Sequence, residues 1–310
     1  MTAVADLPTG AQHELRQGRQ RLVATERGAT WRSWTVDGRE LLDSRPDDPD
    51  QDFRGHVLMP WPNRLRDGRY VFEGTEHRTP LTEPERGNAI HGLANGRRWR
   101  ALRSSTRHLT LVHELEPQAG YPFALRLAVQ YELTSGGVVV TLRATNVGPA
   151  RAPFGAGLHP YLTLGAPRID DDVLELRART VLRVDDRMLP TGPGIPIEDT
   201  ELDLRRPRRI GTLRLDTCFG ELQRNAAGVA RVRLTAPDGD RQLTLWVDRG
   251  FRYLQVYTAD AVRDPARRRS GVAIEPMTCA PDAFNSGDGL VVLDPGVTFT
   301  ARCGLAAAGF

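Results

Sequence analysis

Residues Leu125 to Leu133 read LRLAVQYEL, with apolar Leu125, Leu127, Val129, Tyr131 and Leu133 alternating with Arg126, Gln130 and Glu132. A period of two is the signature of a strand with one buried and one wet face. The pattern resumes over Val138 to Thr145 after the turn residues Ser135-Gly136-Gly137, so these segments read as neighbouring strands. The same grammar extends in both directions. Arg21 to Leu42 reads as short strands with a hairpin at Asp37-Gly38, a preferred two-residue turn. Arg231 to Val247 reads as a hairpin about Pro237-Asp238-Gly239-Asp240, and Tyr253 to Thr258 as a further strand. No stretch carries a convincing long amphipathic helix. The chain is therefore expected to be all-β, a large antiparallel β-sandwich with few short helices. No internal repeat or break in composition divides it, so residues 1–310 are expected to form a single domain.

Charge and composition exclude several classes. Basic and acidic residues number 42 and 39, a net charge of +3, and all the basic ones are arginine because the chain contains no lysine. That balance argues against a nucleic-acid binder. Without lysine there is no Schiff-base chemistry and no phosphate-binding P-loop. Cys218, Cys279 and Cys303 are odd in number and widely spaced, which suits reduced thiols rather than a disulfide framework or a zinc knot. No export signal, glycosylation acceptor or long apolar run is visible, so a cytoplasmic location without a membrane partner is expected.

Candidate functional residues lie in the segments between strands. In GVAIEPMTCAPDAFNSGDGL, Gly271 to Leu290, an apolar run leads to Glu275, and Pro276 forbids a helix there. Glu275 is expected at a strand end, as a candidate general base, followed by a loop able to wrap a small polar ligand. Asn63 and Arg64 lie in a Pro-rich turn, PWPNRL, where Arg64 is expected to be held rigidly. His91 lies in a Gly-bounded loop, and His159 directly before Pro160 and Tyr161. Asp216, between Leu215 and Cys218, is expected to be half-buried and paired, and Gln255 lies inside a strand. Residues 43–52 read as an acidic, Pro-broken loop, and 261–271 as a mobile basic one.

The motifs PWPNRL (60–65), IHGL (90–93), LHPYL (158–162), LPTG (189–192), LDTCF (215–219), LQVYT (254–258) and IEPMTCAPDAFN (274–285) resemble, in this order, those of the aldose 1-epimerase (mutarotase) family. The resemblance covers most of the chain and implies the galactose mutarotase-like supersandwich. It implies Glu275 as catalytic base, His159 as proton donor and His91 as the second active-site histidine. It also implies Arg64, Asn63, Asp216, Gln255 and Tyr161 as contacts to a small-molecule sugar. No cofactor or metal is implied, and the chain is expected to be a monomer or homodimer. On this reading Glu275 rests ionised and His159 protonated, the imidazolium being held up by a nearby carboxylate. The arginine-rich segments 205–209 and 267–269 leave a 6-phosphorylated hexose open as substrate. Other readings of the same residues are a non-catalytic sugar-binding domain, a glycoside hydrolase using Glu275 and Asp216, and a zinc site of His91, His159 and Glu275.

Overall fold

The structure, a computed structural model, describes residues 7–44 and 52–310; most of the acidic 43–52 segment lies outside them. Nearly half of the chain is strand and about 4% is helix. The helical pieces are single turns, the α-helical one being Ala283–Ser286. Two large sheets dominate. The first, of nine strands, runs in the order Arg100–Ser104, His108–Leu115, Leu125–Thr134, Gly137–Asn146, Thr298–Ala308, Gln242–Val247, Ala230–Thr235, Val173–Leu176 and Arg208–Arg209. The second has eight, with Val272–Met277 between Tyr253–Tyr257 on one side and both Gly157–Leu158 and Tyr161–Leu162 on the other. Every pairing between these strands is antiparallel.

The expected hairpins form where the turn residues place them. Thr134 pairs with Gly137 across Ser135-Gly136, and Val36 pairs with Arg39 across Asp37-Gly38. Both of the latter turn residues have positive φ, 48° and 76°, the conformation that makes Asp-Gly a tight hairpin. Leu125, Leu127, Val129, Tyr131 and Leu133 are all buried, joined by Val138, Val140, Leu142 and Ala144 from the next strand. They share one apolar core with Phe219, Leu254, Val256 and Ile274 of the eight-stranded sheet.

Along Val272–Met277 the alternate positions face elsewhere. Ile274 belongs to the core, whereas Ala273 and Met277 join two small separate clusters, with Tyr161 and Val262 in one and Cys218 and Ala280 in the other. Glu275 falls between these patches, on the same face.

Two expectations about this strand need correction. Glu275 is not at its end, because the strand continues through Pro276 to Met277. A proline is tolerated there because the neighbouring backbone is interrupted at its level: Ile274 N donates to Pro160 O and Thr278 N to Ala156 O, so the missing N–H deprives no ladder acceptor. The register explains more. Ala273 pairs with Tyr161 and Met277 with Gly157, which puts His159, in the gap, at the level of Glu275. The loop beyond Met277 is bonded to the fold itself. Asp282 N donates to Arg64 O, and Asp282 Oδ1 accepts from Arg66 N at 2.9 Å, so this segment buttresses the strand Arg64–Arg66.

Nor is the basic segment 261–271 a free loop. Arg269 is 7% exposed and ion-paired to Asp170 and Asp260, and Arg267 pairs with Asp43.

Candidate active site

His91 and Asn63 build one wall together. Each has positive φ, 63° and 55°, an uncommon backbone state for residues other than glycine. Reciprocal bonds support it: His91 N donates to Asn63 O at 2.9 Å, and Asn63 N donates to His91 Nδ1 at 3.2 Å. With Nδ1 accepting, the neutral ring carries its proton on Nε2. Asn63 Oδ1 in turn accepts from Arg64 N at 2.9 Å.

Arg64 opens the strand Arg64–Arg66 rather than sitting within a turn. Its guanidinium forks onto Glu83, Nε to Oε2 at 2.8 Å and Nη2 to Oε1 at 2.9 Å, with both side chains less than a tenth exposed. Burial works against the Arg64 charge, but the Glu83 hydrogen bond and the carboxylates of Asp216, Glu83 and Glu275 raise its pKa above the ordinary value. Glu83 is held below the usual carboxylate range by Arg64, Asn88 and Arg86 despite its burial.

His159 and Glu275 form the centre. Nε2 of His159 lies 3.3 Å from Oε1 of Glu275, and both side chains are nearly inaccessible. The imidazole stacks on Tyr161 at 5.0 Å between centroids and 10° between planes, and the Arg54 guanidinium lies over the Tyr161 ring, 4.0 Å from its centroid. Phe53 packs beside both histidines, its ring centroid 4.6 Å from that of His91 and 6.3 Å from that of His159. Asp216 is half-buried and accepts from Gln255 Nε2 at 2.6 Å.

Asn63, Arg64, His91, His159, Tyr161, Asp216 and Glu275 line one cavity of about 240 Å³, together with Phe53, Glu83 and Tyr257. Gln255 does not reach it; it stands behind Asp216. The Tyr161 hydroxyl donates to Asp52 O at 3.4 Å. None of the arginines of 205–209 or 267–269 lines the cavity. Most are paired with Asp203, Asp171, Asp43, Asp170 or Asp260, so these segments give no support to a phosphorylated ligand. Sequence reasoning missed Phe53, Glu83, Arg54 and Tyr257. Phe53 and Arg54 belong to the string FRGH directly ahead of the Val57–Leu58 strand, which was their one visible signal.

The pKa shifts of the central pair run opposite to the direction expected. Burial is the largest cause for each residue. It pushes Glu275 well above the usual carboxylate range, reinforced by Asp216 and opposed by Arg64. It brings His159 down to about 3, with His56 and Arg54 acting in the same direction. Burial thus acts on the carboxylate that was to hold the imidazolium up as well, in favour of its neutral form. His91 is lowered too, first by burial and then by His159, Arg64 and His56.

The potential metal donors of His91, His159 and Glu275 lie within 4.8 Å of one another. This donor set is compatible with zinc in kind, and the fold supplies the convergence that their sequence spacing does not show. The same convergence places one carboxyl group and two imidazoles around one polar cavity, groups able to accept and donate protons.

The all-β supersandwich carries this cavity at the face of its second sheet. Residues 12–306 match the family model described as aldose 1-epimerase, and the chain belongs to that family. It is 32% identical over 271 residues to the uncharacterised protein YihR of Escherichia coli K12, covering 87% of this chain and 84% of that one. It is 32% identical to the galactose mutarotase of Mus musculus over 171 residues, about half of each chain (52% and 48%). Among solved structures, the GalM/aldose epimerase homologue from C. elegans superimposes with a TM-score of 0.84 at 18% identity, covering 96% of this chain and 98% of that one. No helix among the described residues is long and apolar enough to cross a membrane.

Proposed function

We propose that this chain, acting as one domain, interconverts the α and β anomers of a free aldohexose by opening and reclosing the ring. The observation that carries the reading is the contact of Glu275 with His159 inside a cavity sized for one sugar ring and lined with hydroxyl-binding groups. Glu275, as carboxylate, takes the proton from the anomeric hydroxyl. The C1–O5 bond breaks with its electron pair going to O5, which receives a proton from Nε2 of His159. The aldehyde turns about C1–C2, and the same transfers in reverse close the ring on its other face. Atoms and protons balance within the pair.

The starting arrangement, carboxylate and imidazolium, forms from the neutral pair by a proton shift across their 3.3 Å contact and needs no exchange with solvent. After ring opening Glu275 holds the proton and His159 is neutral. That is the distribution burial favours, so the environment is matched to the open-chain stage of the reaction rather than to the bound ring. Arg64, Asp216 and the Nε2–H of His91 hold sugar hydroxyls around the reacting atoms.

Polarimetry of an α-aldohexose tests this. The Glu275→Gln variant, isosteric but unable to accept the proton, is expected to lose about 10² to 10⁴ in kcat. Retention of more than about a tenth of wild-type kcat by folded, sugar-binding protein would make the cavity a binding site without chemistry.

A further inference from the structure

The histidine that donates the proton in the proposed reaction is not oriented in the usual way. A working histidine is ordinarily fixed by a hydrogen bond on the ring nitrogen that faces away from the reaction. In His159, Nε2 faces Glu275, while Nδ1 is buried and, among the described residues, makes no hydrogen bond to another residue. The ring packs most nearly parallel on Tyr161, at 10° between planes. Its orientation therefore passes to the Tyr161 ring, and through it to whatever holds Tyr161.

Arg54 and Asp43, neither of which lines the sugar cavity, supply that hold. The Arg54 guanidinium lies over the Tyr161 ring, and its Nη1 donates to Asp43 twice, to O at 3.0 Å and to Oδ2 at 2.5 Å. Asp43 N in turn donates to Tyr161 O at 2.8 Å, which closes a circuit of contacts through Asp43, Arg54 and Tyr161. The next residues of the same turn hold the histidine's main chain: Gly55 N donates to His159 O at 2.8 Å, and His159 N to His56 O at 3.0 Å. Gly55 has a φ of 74°, and a Cβ there would meet Trp31 O at 2.2 Å, so the turn needs glycine at its bend. Arg54 is only 2% exposed. A buried ion pair adds little net stability, because desolvation offsets the attraction. A cation over a desolvated aromatic ring, by contrast, is held to one placement by the field of the ring face.

We propose that Arg54, anchored by Asp43, is a positioning residue for the proton transfer: through Tyr161 it sets the plane of the His159 imidazole, and with it the direction in which Nε2 delivers a proton to the ring oxygen of the sugar. The role rests on the proposed epimerase activity. Since Arg54 lies outside the cavity, its effect reaches the reaction only through His159. Its charge works in the same sense, adding to burial and His56 in lowering the His159 pKa, which favours release of the proton.

Arg54→Leu removes the cation while Asp43 keeps Arg267 and the Ser270 hydroxyl as partners, so no carboxylate is orphaned and a folded variant is expected. Polarimetry should show kcat lower by about 10- to 100-fold, the cost of a misaligned reacting group. KM for the sugar should be nearly kept, because Arg64 and Asp216 are untouched. Arg54→Lys, which retains the charge but not the planar fork, should fall between the Leu variant and wild type. Asp43→Asn should lower kcat in the same pattern by a smaller factor, and it carries the test if the Leu variant does not fold. The ring itself is read without sugar from the His159 imidazole proton resonances, assigned by their loss in His159→Asn. The Tyr161 ring current displaces them in wild type, and in Arg54→Leu they should move toward the values of an unstacked imidazole. The positioning role would be overturned by an unchanged kcat in folded Arg54→Leu, or in Asp43→Asn where that variant must stand in. A raised KM with kcat kept, a Lys variant no better than the Leu variant, or unmoved His159 resonances would overturn it equally. Absence of mutarotation in wild-type protein would instead refute the epimerase reading, and the resonances would still report whether Arg54 orients the ring.

Discussion

Replacing Arg64 by alanine tests how the sugar site is held together. The fork onto Glu83 is buried on both sides, 8% and 7% of each side chain being exposed, and removing one partner of such a pair leaves an uncompensated charge, at a cost of about 3 to 5 kcal/mol. Glu83 keeps two other donors, Arg86 Nη1 at 2.9 Å and Asn88 Nδ2 at 3.1 Å, so the low end applies, about 3 kcal/mol. In thermal unfolding that corresponds to a fall of roughly 5 °C for a chain of this size. The double variant Arg64→Ala/Glu83→Gln no longer buries the orphaned carboxylate and is expected to regain at least about 1 kcal/mol of this. Urea unfolding followed by circular dichroism measures both. On the folded single variant, polarimetry should show KM raised with kcat nearly kept, the mark of lost uniform binding. A single variant that loses less than about 1 kcal/mol, or a double variant no more stable than the single, would refute the view that the Glu83 fork positions Arg64.

The pH dependence of kcat/KM is expected to be a broad plateau, because burial moves His159 down to about 3 and Glu275 well up; a bell with both limbs inside the interval of about 4.3 to 6.5 spanned by ordinary Glu and His would contradict it. His159 also shapes acid stability. Its folded pKa is depressed, so its contribution is complete above about pH 6.5 and is lost as pH falls toward 3; His159→Asn should make the acid limb of stability shallower by up to about 1.4 kcal/mol per pH unit, measured by denaturant titration between about pH 6 and 4. Mutarotation is expected to persist in a chelator after extensive dialysis; loss that zinc restores would turn the convergence of His91, His159 and Glu275 into a metal centre.

The strands were legible where one face is dry and the other wet. Leu125–Leu133 carries its burial in its spelling, and the hairpins at residues 37–38 and 135–136 follow from turn chemistry. Glu275, His159, His91 and Arg64 were legible as chemical types attached to short motifs, and the fold brings them to one cavity. What could not be read were relations across the chain. Pro276 reads locally as a strand terminator, and only the interruption at residues 159–160 of the neighbouring backbone makes it harmless. Glu83, in an exposed-looking TEPER string, becomes a buried counter-ion through a partner 19 residues earlier. The directions of the central pair's pKa shifts could not be read because the charge of one partner was credited without the cost of burying both.

The strand Thr298–Ala308 sits in the middle of the nine-stranded sheet, between Gly137–Asn146 and Gln242–Val247. Its partner Gly137–Asn146 finds its other neighbour, Leu125–Thr134, across a two-residue turn, but it must wait for one made about 160 residues later. During synthesis, therefore, the central edge of that sheet stays open, with unpaired N–H and C=O groups next to exposed Val138, Val140 and Leu142, until the last strand arrives. Closure by so distant a pairing is slow on topological grounds, and open edges of this kind invite pairing with other chains. The yield of folded protein should thus depend on temperature and expression rate more steeply than the stability of the finished sandwich does, since the hazard belongs to the interval before the sheet is closed.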